Sequence, residues 1–210
     1  MSSLLRSSSK LYQNRDKPTV SYANVMTQLK SQLTLQQFLS LPEGDITYEL
    51  IDGEAKPKMA PKRFHSRLTL AISQILILWA QNRGEVGIEW AVTLKRQGRD
   101  WVPVPDLLYV SYSRLSNDAI EDEACPIPPD LAIEIISPDQ SFGQMSAKAT
   151  DYLDAGVMRV WVVDARAKTV TIFYPDTRPQ TKTGEDSLED SLLEGLQITP
   201  QQIFAQAGIP

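Results

Sequence analysis

The chain holds one cysteine, Cys125, and one histidine, His65, in 210 residues. A single cysteine excludes internal disulfides and cysteine-rich zinc sites. A single histidine leaves a Ser-His-Asp triad or a histidine-built metal site resting wholly on His65, so any metal is expected to be a hard cation held by carboxylates. Long apolar runs are also missing. The longest, Ile75–Ala80, is far shorter than the roughly 18 residues of a membrane span and is followed by Gln81, Asn82 and Arg83. No membrane partner is expected. Nor is there an excess of basic charge: 21 Lys+Arg stand against 26 Asp+Glu, a net −5, which argues against tight DNA binding driven by bulk charge. The opening MSSLLRSSSK has no apolar stretch of the secretory kind, and a cytoplasmic location is expected.

What is present is an ordinary folded composition, 42% hydrophobic and 22% charged, with length for one domain. Its charge is polarised. Residues 1–30 carry Arg6, Lys10, Arg15, Lys17 and Lys30 against Asp16; residues 176–194 carry six acids against Arg178 and Lys182. The expected organisation is a basic, serine-rich flexible arm over 1–30 and a single domain over 31–210, with its core in about 34–174 and an acidic carboxy-terminal extension over 175–210.

Local patterns supply the elements. Thr34–Leu39 reads as a short helix with a Thr34/Gln37 capping box. Ile46–Ile51, then Asp52-Gly53, then Glu54–Met59 reads as a β-hairpin. Over 62–83, Phe64, Leu68, Ile72, Ile75 and Trp79 recur at helical spacing, with Gly84 as the stop. Val86–Arg96 and Val102–Ser111 read as strands joined at Gln97–Asp100. Leu131–Ile136 reads as a strand buried on both faces, 143–155 as a helix closed by Gly156, Arg159–Asp164 as a second buried strand, and Lys168–Tyr174 as its hairpin partner. Thr199 and Pro200 open a last helix. The order predicts an α/β or α+β protein with helices packed on a sheet.

Two acids interrupt these apolar strands. Glu134 lies between Ile133 and Ile135, where an ionised carboxylate is costly unless paired or bound to a metal. Asp106, in Val104-Pro105-Asp106-Leu107-Leu108, leads into another apolar run. On adjacent strands the pair would converge on one divalent ion, and Mg²⁺ suits two carboxylates with several waters. Lys148 follows on the next helix and shares a face with Tyr152, from where it can reach the end of the Glu134 strand. The plainer alternatives are a buried Glu134–Lys148 ion pair and a solvated helix lysine.

Pro105-Asp106, Asp130–Pro138 with Glu134 at its centre, Lys148, Tyr152–Val157 and Val160–Asp164 together resemble the Uma-type restriction endonuclease family, abundant in cyanobacteria, of the PD-(D/E)XK nuclease superfamily. Tyr48–Glu54 matches its amino-terminal hairpin, and the resemblance covers about 34–174. It implies a restriction-endonuclease-like central mixed sheet flanked by helices, Mg²⁺ with Mn²⁺ as substitute, and phosphodiester hydrolysis of DNA. It makes Asp106 and Glu134 the metal ligands, Lys148 the displaced catalytic lysine (Ile136 stands at the superfamily's usual lysine position) and Glu49 a further acid that binds metal or holds a water. The missing in-strand lysine and the acidic net charge keep open a second reading, a catalytically inactive module on the same fold that binds nucleic acid or protein.

Lys56, Lys58, Lys62, Arg63 and Arg67 form the densest basic stretch. Lys62, Arg63, His65 and Arg67 are the candidates for substrate contact, although charge clusters are commonly solvated faces and a histidine at a helix start is commonly on the surface. Cys125, without a positive neighbour, is expected to be inert, and Trp79 and Trp161 read as core. A homodimer suits cleavage of both strands.

Overall fold

The computed structural model describes residues 32–42, 44–116 and 122–210. The basic arm expected over 1–30 lies outside them. The elements are α1 (Leu35–Leu39), β1 (Tyr48–Ile51), β2 (Glu54–Pro57), α2 (Arg63–Trp79), β3 (Gly84–Ile88), β4 (Leu94–Arg96), β5 (Arg99–Trp101), β6 (Leu107–Ser111), β7 (Leu131–Ile135), α3 (Phe142–Asp154), β8 (Arg159–Asp164), β9 (Thr169–Phe173), β10 (Gln180–Thr183), a 3-10 turn (Ser191–Leu193) and α4 (Pro200–Gln206). None of the described helices is long and apolar enough to cross a membrane.

A six-stranded mixed sheet in the order β10-β9-β8-β7-β6-β3 forms the centre. The β7–β8 pair is parallel, with α3 as its crossover, and the other pairs are antiparallel. Strand alternation sorts the side chains. Leu131, Ile133 and Ile135 join Trp161, Val163 and Ile172 in a core shared with α2 and α4, while Ala132, Leu108, Val110 and Val162 pack with Met145, Ala149 and Tyr152 of α3. A third cluster, Leu33, Phe38, Leu50, Ala55 and Val102, fastens α1 and the β1–β2 hairpin to the rest.

The Asp52-Gly53 turn has both residues at positive φ, 53° and 82°, as a two-residue hairpin requires. Three helices start with reciprocal capping boxes, Thr34/Gln37, Ser141/Gln144 and Thr199/Gln202. Gly84 does not stop α2, which ends at Trp79 with Ala80 as its cap. It opens β3 instead, where a Cβ would collide with the β6 backbone. Phe64 also departs from its expected core position and is exposed; the buried stripe of α2 runs through His65, Leu68, Ile72 and Leu76.

The hairpin expected over 86–111 keeps its register at both ends, since Gly84 faces Ser111 and Leu94 faces Trp101, but it is broken in the middle. The reason is Val102-Pro103-Val104-Pro105-Asp106. The two prolines remove alternate N–H groups. The remaining donors turn toward β1: Val102 N–H to the Leu50 carbonyl at 3.0 Å and Val104 N–H to Glu49 Oε1 at 2.9 Å. The segment thereby ties the amino-terminal hairpin to the entrance of β6. Residues 175–210, acidic on their surface, supply edge strand β10 and bury Leu188, Leu193, Leu196, Ile198, Ile203, Phe204 and Ile209 in the core shared with α2.

Candidate active site

Asp106 stands at the entrance of β6 and Glu134 lies within β7. The register pairs Leu107 with Ile133, and one step further along both strands sets Asp106 across from Glu134, where side chains are near neighbours. Both are buried, at 2% and 3% exposure. They lie close enough for Asp106 to push the Glu134 pKa upward. The two acids thus meet at one end of the sheet.

Asp106 is held from three sides. Oδ2 accepts the Ile135 N–H at 2.7 Å and sits 3.0 Å from His65 Nε2. Oδ1 forms an ion pair with the Lys58 ammonium at 2.8 Å. Burial alone would raise the Asp106 pKa. The His65 hydrogen bond and the Lys58 charge outweigh it and bring the carboxyl from an ordinary 3.8 to about 2. Lys58 also lies 3.4 Å from Glu89. Burial would lower its pKa, but the charges of Asp106, Glu134 and Glu89 win and raise it.

Glu134 is held from α3. Both of its side-chain contacts fall on Oε1, the Lys148 ammonium at 2.9 Å and the Tyr152 hydroxyl, which donates at 2.8 Å. Lys148 divides its charge, donating at 2.9 Å to Glu49 Oε1 as well. Here burial prevails: the Glu134 pKa stays above its ordinary value despite Lys148. Burial would also lower the Lys148 pKa, but Glu134 and Glu49 together raise it, so this lysine carries its charge throughout the physiological range. It serves as a fixed positive charge and not as a proton acceptor. Tyr152 is raised well above its ordinary value by burial and by Glu134, and keeps its proton.

The structure therefore brings Asp106, Glu134, Lys148 and Glu49 into one network, with Glu49 gripping Lys148 and the Val104 N–H. His65 is not on the surface: at 7% exposure it turns inward on the buried stripe of α2 and meets Asp106. Lys62 pairs with Asp139 at 3.2 Å on the exterior and Arg63 is exposed beside it. Arg67 is not gathered in; its guanidinium fills the space beside Gly208, where a Cβ would stand. Sequence reasoning missed Lys58 as a partner of Asp106, since nothing short of the tertiary arrangement distinguishes it from Lys56 or Lys62. Tyr152 was signalled by its four-residue spacing from Lys148. Cys125 is buried and its thiol pKa is pushed up, which fits an inert side chain.

Among the described residues no group of three or more His, Cys, Asp or Glu side chains is placed to cage a metal. The donors that fit one are Asp106 and Glu134. Asp106 Oδ1 is buried against the Lys58 ammonium, the position a cation would take, and among the described residues no contact falls on the second oxygen of Glu134. Two hard oxygen donors suit a hard divalent cation better than a metal that demands a full protein shell.

Among curated proteins no relative matches the chain. Among solved structures, the chain is similar to the crystal structure of "a putative nuclease belonging to DUF820" from Anabaena variabilis ATCC 29413, with 26% identity and a TM-score of 0.72 over 83% of this chain and 99% of that one. The Uma2 family model, described as "Putative restriction endonuclease", matches residues 35–201. A match of that extent, on a restriction-endonuclease-like mixed sheet with two acids meeting at its end, establishes that the chain belongs to the Uma2 family.

Proposed function

We propose that the chain is a Mg²⁺-dependent DNA endonuclease that hydrolyses phosphodiester bonds, with Mn²⁺ as a substitute ion. The observation that carries this reading is the facing pair Asp106 and Glu134, two buried carboxylates on adjacent strands; an ion would take the place of the Lys58 ammonium at Asp106 Oδ1 and use the second oxygen of Glu134. These residues would hold the ion, which supplies charge neutralisation and a more acidic water. His65 and the Ile135 N–H keep Asp106 ionised and oriented. Tyr152 fixes Glu134. Lys148, held between Glu134 and Glu49, presents fixed positive charge toward a phosphate that gains negative charge in the transition state. Lys62 and Arg63 lie outside the acids, where backbone phosphates would approach.

Plasmid cleavage with Mg²⁺ or Mn²⁺ tests the proposal. Asp106→Asn and Glu134→Gln abolish cleavage while circular dichroism stays native. Lys148→Ala slows turnover and leaves Mn²⁺ binding by calorimetry nearly intact. Full cleavage by both carboxylate variants would remove the acids from the mechanism. One observation favours the second reading, an inactive nucleic-acid-binding module: Lys58 already supplies Asp106 with a cation at 2.8 Å. Native protein that binds DNA but leaves it intact at every metal concentration would support that module.

A further inference from the structure

Next to the acid pair lies an open cleft of about 320 Å³, at the small end of ligand-sized cavities. The first turns of α2 and α3 form its walls, and the chain that continues from β7, together with the end of β8, forms its floor. His65 belongs to both sites: it lines the cleft and holds Asp106 at 3.0 Å. Whatever fills the cleft sits beside the reacting phosphate of the nuclease reading.

Two features of the lining are unusual. Phe64 and Phe142 face into it while remaining 47% and 46% exposed, and neither ring stacks on another aromatic among the described residues. Their positions explain the exposure. Phe64 is one residue off the buried stripe of α2, and Phe142 directly follows the Ser141 cap of α3. Of the three cations that line the cleft, Lys62 is paired with Asp139 and the two arginines are unengaged. The side chains of Arg63 and Arg166 have no ion pair or hydrogen bond among the described residues. The acid on that rim, Asp164, accepts the backbone N–H groups of Arg166 and Ala167 on Oδ1, at 2.8 and 3.0 Å, and forms no ion pair with either arginine.

Flat apolar faces flanked by free guanidinium groups match one ligand chemistry, a nucleobase between two phosphates. Stacking on phenylalanine is indifferent to base identity, and arginine binds the backbone. A base inside a duplex has no free face to offer, so the occupant must be unpaired or extruded. We propose that this cleft binds a single unpaired nucleotide, its base against Phe64 and Phe142 and its flanking phosphates on Arg63 and Arg166, so that the substrate is DNA with an unpaired base next to the cleaved bond. This rests on the nuclease reading for the identity of the polymer, and it adds the strand state.

The test uses the full chain in EDTA, where no cleavage intervenes, and a single-stranded oligonucleotide carrying one 2-aminopurine. Binding is expected to quench the probe, and the same probe in a perfect duplex is expected to bind more weakly and without quenching. Phe64→Ala and Phe142→Ala, both on the exterior, are each expected to lose roughly 5- to 150-fold in single-strand affinity, the range for removal of a base–aromatic stack. Phe142→Trp is expected to retain it. Unchanged affinity in both alanine variants, or equal binding of duplex and single strand, overturns the proposal. The two readings separate cleanly. Cleavage that needs Asp106 but ignores both phenylalanines defeats the cleft alone. Stacking that needs the phenylalanines in a protein that never cleaves sustains the cleft and defeats the nuclease.

Discussion

The two halves of the acid site are built from similar parts and behave in opposite ways. On the Asp106 side, a lysine, a histidine and a backbone N–H converge on one carboxylate. On the Glu134 side, one ammonium is shared between two carboxylates and a neutral phenol supplies the rest. The consequence is electrostatic. Asp106 is held at about pKa 2, whereas burial lifts Glu134 above its ordinary value. Similar burial therefore does not by itself set the pKa of a carboxylate; the charges and donors around it decide the direction. One carboxyl is held below its ordinary range, and the other is lifted above it.

The largest expected consequence of this difference is in stability. Asp106→Asn removes the charge that Lys58, His65 and the Ile135 N–H all address and should cost about 3 kcal/mol in urea denaturation. Glu134→Gln keeps the shape, removes a charge whose burial outweighs its pairing with Lys148, and leaves Lys148 its Glu49 partner, so a smaller loss, about 1 kcal/mol, is expected. The reverse ranking would break the comparison.

The pH dependence should separate the halves next. The folded pKa of Asp106 is depressed, so its contribution is fully present above pH 3.8 and is lost as pH falls toward 2. That amounts to about 2 kcal/mol, and Asp106→Asn should flatten the acid limb of stability by about this much. Glu134 has the opposite sign. Its folded pKa is raised, so its charge costs stability at neutral pH, and the cost is relieved as pH falls through that raised pKa. Glu134→Gln should compare best with the parent at pH 7 and less well at pH 4. Parallel curves for the two variants would contradict the division.

The smallest effect concerns a residue that belongs to neither half. Arg67→Ala, on a guanidinium packed beside Gly208, should change stability by less than about 1 kcal/mol. DNA affinity in a filter-binding assay should stay unchanged, while Arg63→Ala weakens it.

Much of this was legible in the chain because it followed local rules. Glu134 announced itself by its apolar strand, Asp106 by leading into another, and Lys148 with Tyr152 by helical spacing. The hairpin turn and two of the three capping residues, Thr34 and Thr199, were equally plain. What escaped depends on which distant elements meet. His65 looked like a surface residue because nothing local says that the first turn of α2 abuts the end of β7. Lys58 was one cation among five. Strand β10 lies on the sheet edge, where its sequence Gln-Thr-Lys-Thr carries no apolar alternation to reveal it. The break between β3 and β4 follows from Pro103 and Pro105, whose missing donors matter only once the β1 hairpin is there to take the others.

The link between Glu49 and Lys148 spans 99 positions of sequence. Such a contact requires the closure of a long loop, whose entropy it must repay. On the ribosome, the hairpin and the Pro-Asp segment emerge well before α3, and they wait without the ammonium that completes them. A chain synthesised only as far as β7 therefore holds both Glu49 and Glu134 but not the ammonium that bridges them.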